Sequence, residues 1–154
     1  MDTLEGIESR PRVVLVARAA VIKKDRILLI QRSIKDRHNP GMYEFPGGKL
    51  EAGKTIEGTL NEEIYEETRI FCDRIGQTFY IENKINVGGS YPGLLYVAMI
   101  GIARWQTGGV RLSSEHDNFA WTSLRGASRF QLTTETDRAL TYLGPQIREQ
   151  LHLR

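Results

Sequence analysis

Three glutamates, Glu63, Glu66 and Glu67, crowd one short stretch of the chain, "TLNEEIYEETRI". On a helical wheel at about 100° per residue, Ile56, Leu60 and Ile64 form an apolar stripe. Glu63 and Glu67 fall on or beside that stripe and Glu66 on its flank, while Gly58, Asn61 and Tyr65 take the opposite side. The plain alternative is a solvated cluster of charges, and the placement argues against it. Like charges four residues apart cost a few tenths of a kcal/mol even in water, and an uncompensated carboxylate beside apolar surface costs far more. A divalent cation removes both costs. Carboxylate oxygens are hard ligands that suit Mg²⁺, Mn²⁺ or Ca²⁺, so three of them within a helical turn beside a glycine turn read as a metal platform.

A second pattern competes for the same segment. Gly48 to Thr55, "GKLEAGKT", fits G-x-x-x-x-G-K-[ST], the phosphate-binding P-loop. A helix so rich in glutamate is a poor neighbour for a triphosphate. The P-loop also needs another strand ending in an acid that helps hold Mg²⁺, and "VVLVAR", "RILLIQR" and "GLLYVAMIGIA" end in none. The P-loop reading is set aside on both grounds.

These residues must be held by a small fold. The chain has 154 residues, enough for one domain, with 40% hydrophobic and 26% charged residues, the balance of a globular protein. A formal net charge of +2 supplies no basic field for bulk nucleic acid. Cys72 is the single cysteine, so no internal disulfide can form, which fits a reducing, cytoplasmic setting. Residues 1–11 read as a flexible leader without the apolar core of a secretory signal, and 12–154 as a single domain. The longest apolar run, Gly93 to Ala103, is too short to span a bilayer.

Arg12 to Ile22 and Arg26 to Arg32 read as two strands of a hairpin joined by a polar turn. "MYEF" reads as a short extended piece stopped by Pro46, and Thr55 to about Thr68 as a helix with Thr55 as its N-cap. Further strands are expected over Gln77 to Glu82, Leu94 to Arg104 and within "NFAWTSL". A last helix over Thr133 to Leu153 would be interrupted at Gly144-Pro145. Strands outnumber helices without strict alternation, which predicts a mixed α+β layered domain.

The segment "GGKLEAGKTIEGTLNEEIYEETRI" resembles the Nudix box, G-x5-E-x7-R-E-U-x-E-E-x-G-U with U aliphatic. Gly48 matches the first glycine, and Glu63, Ile64, Glu66, Glu67 and Ile70 match E, U, E, E and U at the same spacing; "EFPG" just before is also typical. The resemblance implies an α/β/α sandwich around a mixed central sheet. It also implies a metal-dependent pyrophosphohydrolase that cleaves a nucleoside diphosphate linked to another group, using Mg²⁺ or Mn²⁺. Glu63, Glu66 and Glu67 would carry the metal with the Gly47 carbonyl, and Lys49 would lie near the phosphates. A late loop would add another acid. Glu115 is favoured there over Asp117, with His116 read as a loop residue facing water. Arg32, at a strand end, is a candidate for a phosphate or base, and Tyr91 in "NVGGSYPG" for stacking on a base; an exposed strand-end arginine and a hairpin tip explain them equally. Trp105 and Trp121 read as core aromatics. The expected partner is a small nucleotide, with no membrane contact, in a monomer or homodimer.

Three positions depart from the box: Lys54 replaces its glutamate, Glu62 its arginine and Arg69 its last glycine. Glycine suits a left-handed helix terminus and arginine does not. The first two departures exchange charges rather than lose them. Either Lys54 and Glu62 meet in a bridge that braces the turn against the helix, or they are two independent surface charges. They also motivate an alternative function, a Nudix-fold module that binds a nucleotide or partner with little turnover.

Overall fold

The structure, a computed structural model, describes residues 12–73, 79–85 and 93–152. The expected leader over 1–11 and Tyr91 lie outside the described residues, as does the first part of the strand expected from Gln77.

Strands β1 (Val13–Lys23) and β2 (Arg26–Arg32) are apolar along nearly their whole length, because both of their faces are covered. They form the expected hairpin only at its tip, Ile22 opposite Ile27 and Lys23 opposite Arg26, and then part. Into the gap goes β4 (Gly47–Lys49), antiparallel to Val16–Arg18 of β1. On its other side β1 runs parallel to β7 (Leu95–Thr107) over ten paired positions, from Val13–Leu95 to Ile22–Arg104. Strand β2 pairs with β3 (Tyr43–Glu44) and with β8 (His116–Thr122). Strands β5 (Phe71–Asp73) and β6 (Tyr80–Ile85) complete the far side on β7. One parallel pairing among antiparallel ones makes the sheet mixed.

Each face of the sheet carries a helix. Leu60 and Ile64 of α1 (Ile56–Thr68) pack on Ala17, Ala19, Val21, Leu28 and Ile30. Ala139, Leu143 and Ile147 of α2 (Thr134–His152) pack on Ala20, Ile22, Ile27, Leu29 and Ile100. The alternation of side chains along β1 and β2 divides them between the two cores, and the result is the α/β/α sandwich. Among the described residues no helix is long and apolar enough to cross a membrane.

The Thr55 Oγ1 accepts the Gly58 N–H at 3.0 Å and caps α1 as its sequence indicates. Two other expectations need correction. Helix α2 runs unbroken through Pro145. Proline inside a helix costs about 3 kcal/mol, and the burial of Leu143 and Ile147 on either side of it holds the helix to the sheet. Arg69 does take the left-handed conformation, with φ 62° and ψ 19°, and its N–H donates to the Tyr65 carbonyl at 2.8 Å. Its guanidinium lies 4.9 Å from the centre of the Tyr65 ring. That contact offsets part of the roughly 1–2 kcal/mol that an L-residue spends there.

Candidate metal centre and active site

The floor of the site is the glycine pair of β4. A Cβ on Gly47 would stand 2.1 Å from the Ala17 carbonyl oxygen, and one on Gly48 would stand 2.5 Å from the Glu63 carboxyl carbon. Only a bare backbone lets β4 lie against β1 while α1 crosses close above it. The Gly47 N–H, free to face the helix, donates to Glu67 Oε1 at 2.7 Å.

The three helix acids divide by depth, as the wheel indicates. Glu67 is buried, Glu63 half-buried and Glu66 exposed. Burial pushes the Glu67 carboxyl up to about 8; the Gly47 N–H and Arg18 pull it down, while Glu44 and Glu115 push it further up. Burial also raises Glu63, and the charges of Glu66 and Glu115 raise it further. Glu115, on the loop before β8, therefore stands within the field of two helix acids from which it is distant in sequence. The reason is local: that loop is stitched to the end of α1, Arg111 N–H to the Thr68 carbonyl at 2.8 Å and Ser113 N–H to the Glu67 carbonyl at 3.1 Å.

His116 overturns its sequence reading as a residue facing water. It is 6% exposed and lies between two carboxylates, with Nε2 3.0 Å from Glu44 Oε2 and Nδ1 3.6 Å from Glu67 Oε2. Glu67, Glu115 and His116 each offer a ligand atom within 4.8 Å of the others. Asp117 turns away and accepts the Ile34 N–H at 3.0 Å. Crowded acids with raised carboxyls over a glycine floor fit a divalent cation held largely by oxygen.

Two residues passed over in the sequence organise the deep side. Glu44, 3% exposed, accepts from Arg32 Nη1 at 3.0 and 3.1 Å and lies 3.5 Å from Arg18 Nη1. Burial alone would raise Glu44, but His116, Arg18 and Arg32 together hold it below the ordinary carboxylate value. Arg18 in turn donates through Nε to Glu135 of α2 at 3.0 Å and through Nη1 to the Phe45 carbonyl. Burial would weaken its charge; Glu44 and Glu135 keep it above its ordinary value. A usable signal existed, since an arginine inside "VVLVARAAVI" and a glutamate inside "MYEF" are charges in apolar runs, and buried charges need partners.

The expected substrate contacts are arranged differently from the metal ligands. Lys49 is exposed at the end of β4. Arg32 is engaged by the protein, with Nε on the His38 carbonyl at 2.7 Å and Nη2 on Asp36 at 2.7 Å besides its bonds to Glu44, so it fastens the loop after β2. Trp105 and Trp121 pack at the α1-side core, and the Lys23 ammonium lies 4.2 and 5.5 Å from their ring centres. The Lys54 ammonium meets Glu62 Oε2 at 2.6 Å, so the two exchanged charges form a bridge from the turn to the helix.

A family model for the NUDIX domain matches residues 12–143. An NAD-capped RNA hydrolase NudC of Vibrio parahaemolyticus is 42% identical over 65 residues, which are 42% of this chain and 24% of that protein. An 8-oxo-dGTP diphosphatase of Proteus vulgaris is 44% identical over 48 residues, 31% of this chain and 42% of that protein. The chain thus spans less than half the length of these curated relatives. A solved MutT NUDIX hydrolase of Burkholderia pseudomallei superposes with a TM-score of 0.69 at 26% identity, covering 84% of this chain and 97% of that one. With the match running from β1 into α2 across the whole acid-bearing helix, the chain belongs to the Nudix family.

Proposed function

We propose that the domain, taken as 12–154, is a divalent-metal-dependent pyrophosphohydrolase whose substrate is a nucleoside diphosphate joined to another group. The observation that supports this reading is Glu63 and Glu67 lying against the Gly47–Gly48 floor, their carboxyls raised by burial and by neighbouring acids, with Glu67, Glu115 and His116 offering ligand atoms within 4.8 Å of one another. Bound there, Mg²⁺ or Mn²⁺ would neutralise the phosphates and stabilise the negative charge that builds on the oxygens around the attacked phosphorus. Glu63, Glu66 and Glu67 would hold it, with the Gly47 carbonyl as a further ligand. Glu115, exposed at the rim, would orient or deprotonate the water that attacks one phosphorus of the pyrophosphate, whose bond to the bridging oxygen breaks as the other phosphate-bearing group leaves with that oxygen. Lys49 would meet the phosphates at the end of β4. Arg32 would act through the loop it fastens, by shaping one wall of the cleft. The lone Cys72, its thiol pushed by burial up to about 12, suits a reducing cytoplasm.

The alternative, a Nudix-fold binding module with little turnover, rested on Lys54 and Glu62. The 2.6 Å bridge between them keeps the brace that the departures put in question, and so favours turnover. The test is release of phosphate-bearing products from a panel of nucleoside diphosphate derivatives with Mg²⁺ and with Mn²⁺. Metal-dependent cleavage of at least one class, abolished by Glu66→Gln, is expected. Binding of nucleotides without cleavage of any would overturn the enzyme reading in favour of the module.

A further inference from the structure

We propose that His116 is a nitrogen ligand of the bound cation, through Nδ1, and that Glu44 holds it in the tautomer this requires. The proposal rests on the reading of the helix acids as a metal platform and adds a donor of a different kind to it.

The neighbours of the ring place its hydrogen. Glu44 is fixed between two guanidiniums, with Arg32 Nη1 at 3.0 Å and Arg18 Nη1 at 3.5 Å, so it is ionised and can only accept. The 3.0 Å contact from His116 Nε2 to Glu44 Oε2 therefore places the ring hydrogen on Nε2. With Nε2 committed to Glu44, Nδ1 is the ring atom left to take a cation. It is buried, and among the described residues it has no hydrogen-bond partner. Its nearest carboxylate atom is Glu67 Oε2, at 3.6 Å too far for a hydrogen bond. A buried ring nitrogen left without a partner beside two acids, Glu67 and Glu115, is placed to take a cation.

The spacing suits a metal ion. Two ligand atoms each about 2.0–2.2 Å from one ion stand roughly 2.8 to 3.6 Å apart when they are neighbours in its coordination shell. The 3.6 Å separation lies at the wide end of that range, and Glu115 closes the group within 4.8 Å. The carboxylate, the imidazole and the site for the ion then follow in order, which is the arrangement that usually fixes the orientation of metal-bound histidines. An imidazole among carboxylates has a chemical consequence. Nitrogen raises affinity for Mn²⁺, Co²⁺ and Zn²⁺ more than for Mg²⁺, so this centre should discriminate against Mg²⁺ more than an all-oxygen one.

The test is spectroscopic and uses the intact chain. The wild-type protein is loaded with Mn²⁺ and its electron spin-echo modulation recorded with natural and with ¹⁵N-labelled histidine. A directly bound imidazole gives a nitrogen coupling that changes with the label. It should vanish in His116→Asn while Mn²⁺ still binds, with affinity for Mn²⁺ reduced about tenfold or more and for Mg²⁺ reduced less. Mn²⁺ bound by the wild type without histidine coupling would overturn the proposal and leave the carboxylate platform standing. Coupling that survives His116→Asn would assign the ligand to another of the chain's 3 histidines and also overturn it. Failure of the wild type to bind Mn²⁺ at all would overturn both this proposal and the platform beneath it. Should His116→Asn fold poorly, the isotope comparison in the wild type still decides.

Discussion

Replacing Glu67 by glutamine should stabilise the metal-free protein. In the fold, burial pushes this carboxyl from an ordinary 4.5 to about 8. A raised carboxyl holds its proton in the folded state at pH values where the unfolded chain has released it. Folded molecules then bind more protons than unfolded ones, so stability falls as pH rises between about 4.5 and about 8. Each pH unit in that window costs about 1.4 kcal/mol, so from pH 5 to pH 7.5 wild type should lose about 3 kcal/mol relative to Glu67→Gln. Glutamine has nearly the same shape. Its oxygen can keep the Gly47 N–H, and its amide N–H can donate to the bare His116 Nδ1. Glu44 titrates the opposite way, below its ordinary 4.5, and cancels because both proteins carry it. Urea unfolding in the presence of a chelator at several pH values reads the difference directly. Adding Mn²⁺ should close the gap, because only the wild type gains from binding it. Parallel stability profiles for the two proteins would refute the account of Glu67 as a buried, cation-dependent carboxylate.

The two floor glycines should fail in different ways: Gly47→Ala meets backbone at 2.1 Å and should unfold the protein in a thermal melt, whereas Gly48→Ala meets only the end of the Glu63 side chain and should leave stability within about 1 kcal/mol while lowering metal affinity at least tenfold in a titration. Glu115→Gln should lower kcat much more than it raises KM in steady-state kinetics, the mark of a group acting in the transition state. In a double-mutant cycle, Lys54→Glu and Glu62→Arg should each impair activity and the double variant recover it, with the coupling weakened by high salt. Gly144→Ala should raise stability by about 0.5–1 kcal/mol in urea unfolding, since its Cβ would meet nothing closer than Arg148 at 3.6 Å.

The acid-bearing helix could be read before the fold was known because its information is local. Thr55, the apolar stripe of Ile56, Leu60 and Ile64, and the acid spacing all lie within one helix, and the depth order of Glu63, Glu66 and Glu67 follows from the wheel. Strands β1 and β2 were legible for the same reason, as long apolar runs. Strands β4 and β5 were not. Each has 3 residues, too few for any period to show, and each exists only because β1 or β7 offers it a partner. Helix α2 hid its continuity at Pro145 because the force that keeps it whole is packing against a distant sheet. The deep half of the site was hidden likewise. His116 looks like a loop residue beside Glu115 and Asp117, and only the pairing of β8 with β2 carries it down to Glu44 and Glu67.

The parallel pairing of β1 with β7 also dictates when the protein can become active as it folds. Val13 and Leu95 are 82 positions apart in the chain (95 − 13), and ten such pairs must align before the sheet has a centre. Bringing distant segments together spends chain entropy before any contact returns it, which places such topologies among the slower-folding domains, in milliseconds to seconds. The half-buried ion pair of Arg18 with Glu135, 117 residues apart, likewise closes only when distant parts of the chain have met. A ribosome that has released only the residues through α1 has therefore delivered the helix acids without the strand that seats β1, and without Glu115 or His116. Metal binding should thus appear late, after β7 and β8 have emerged, making it a natural reporter for completion of the fold.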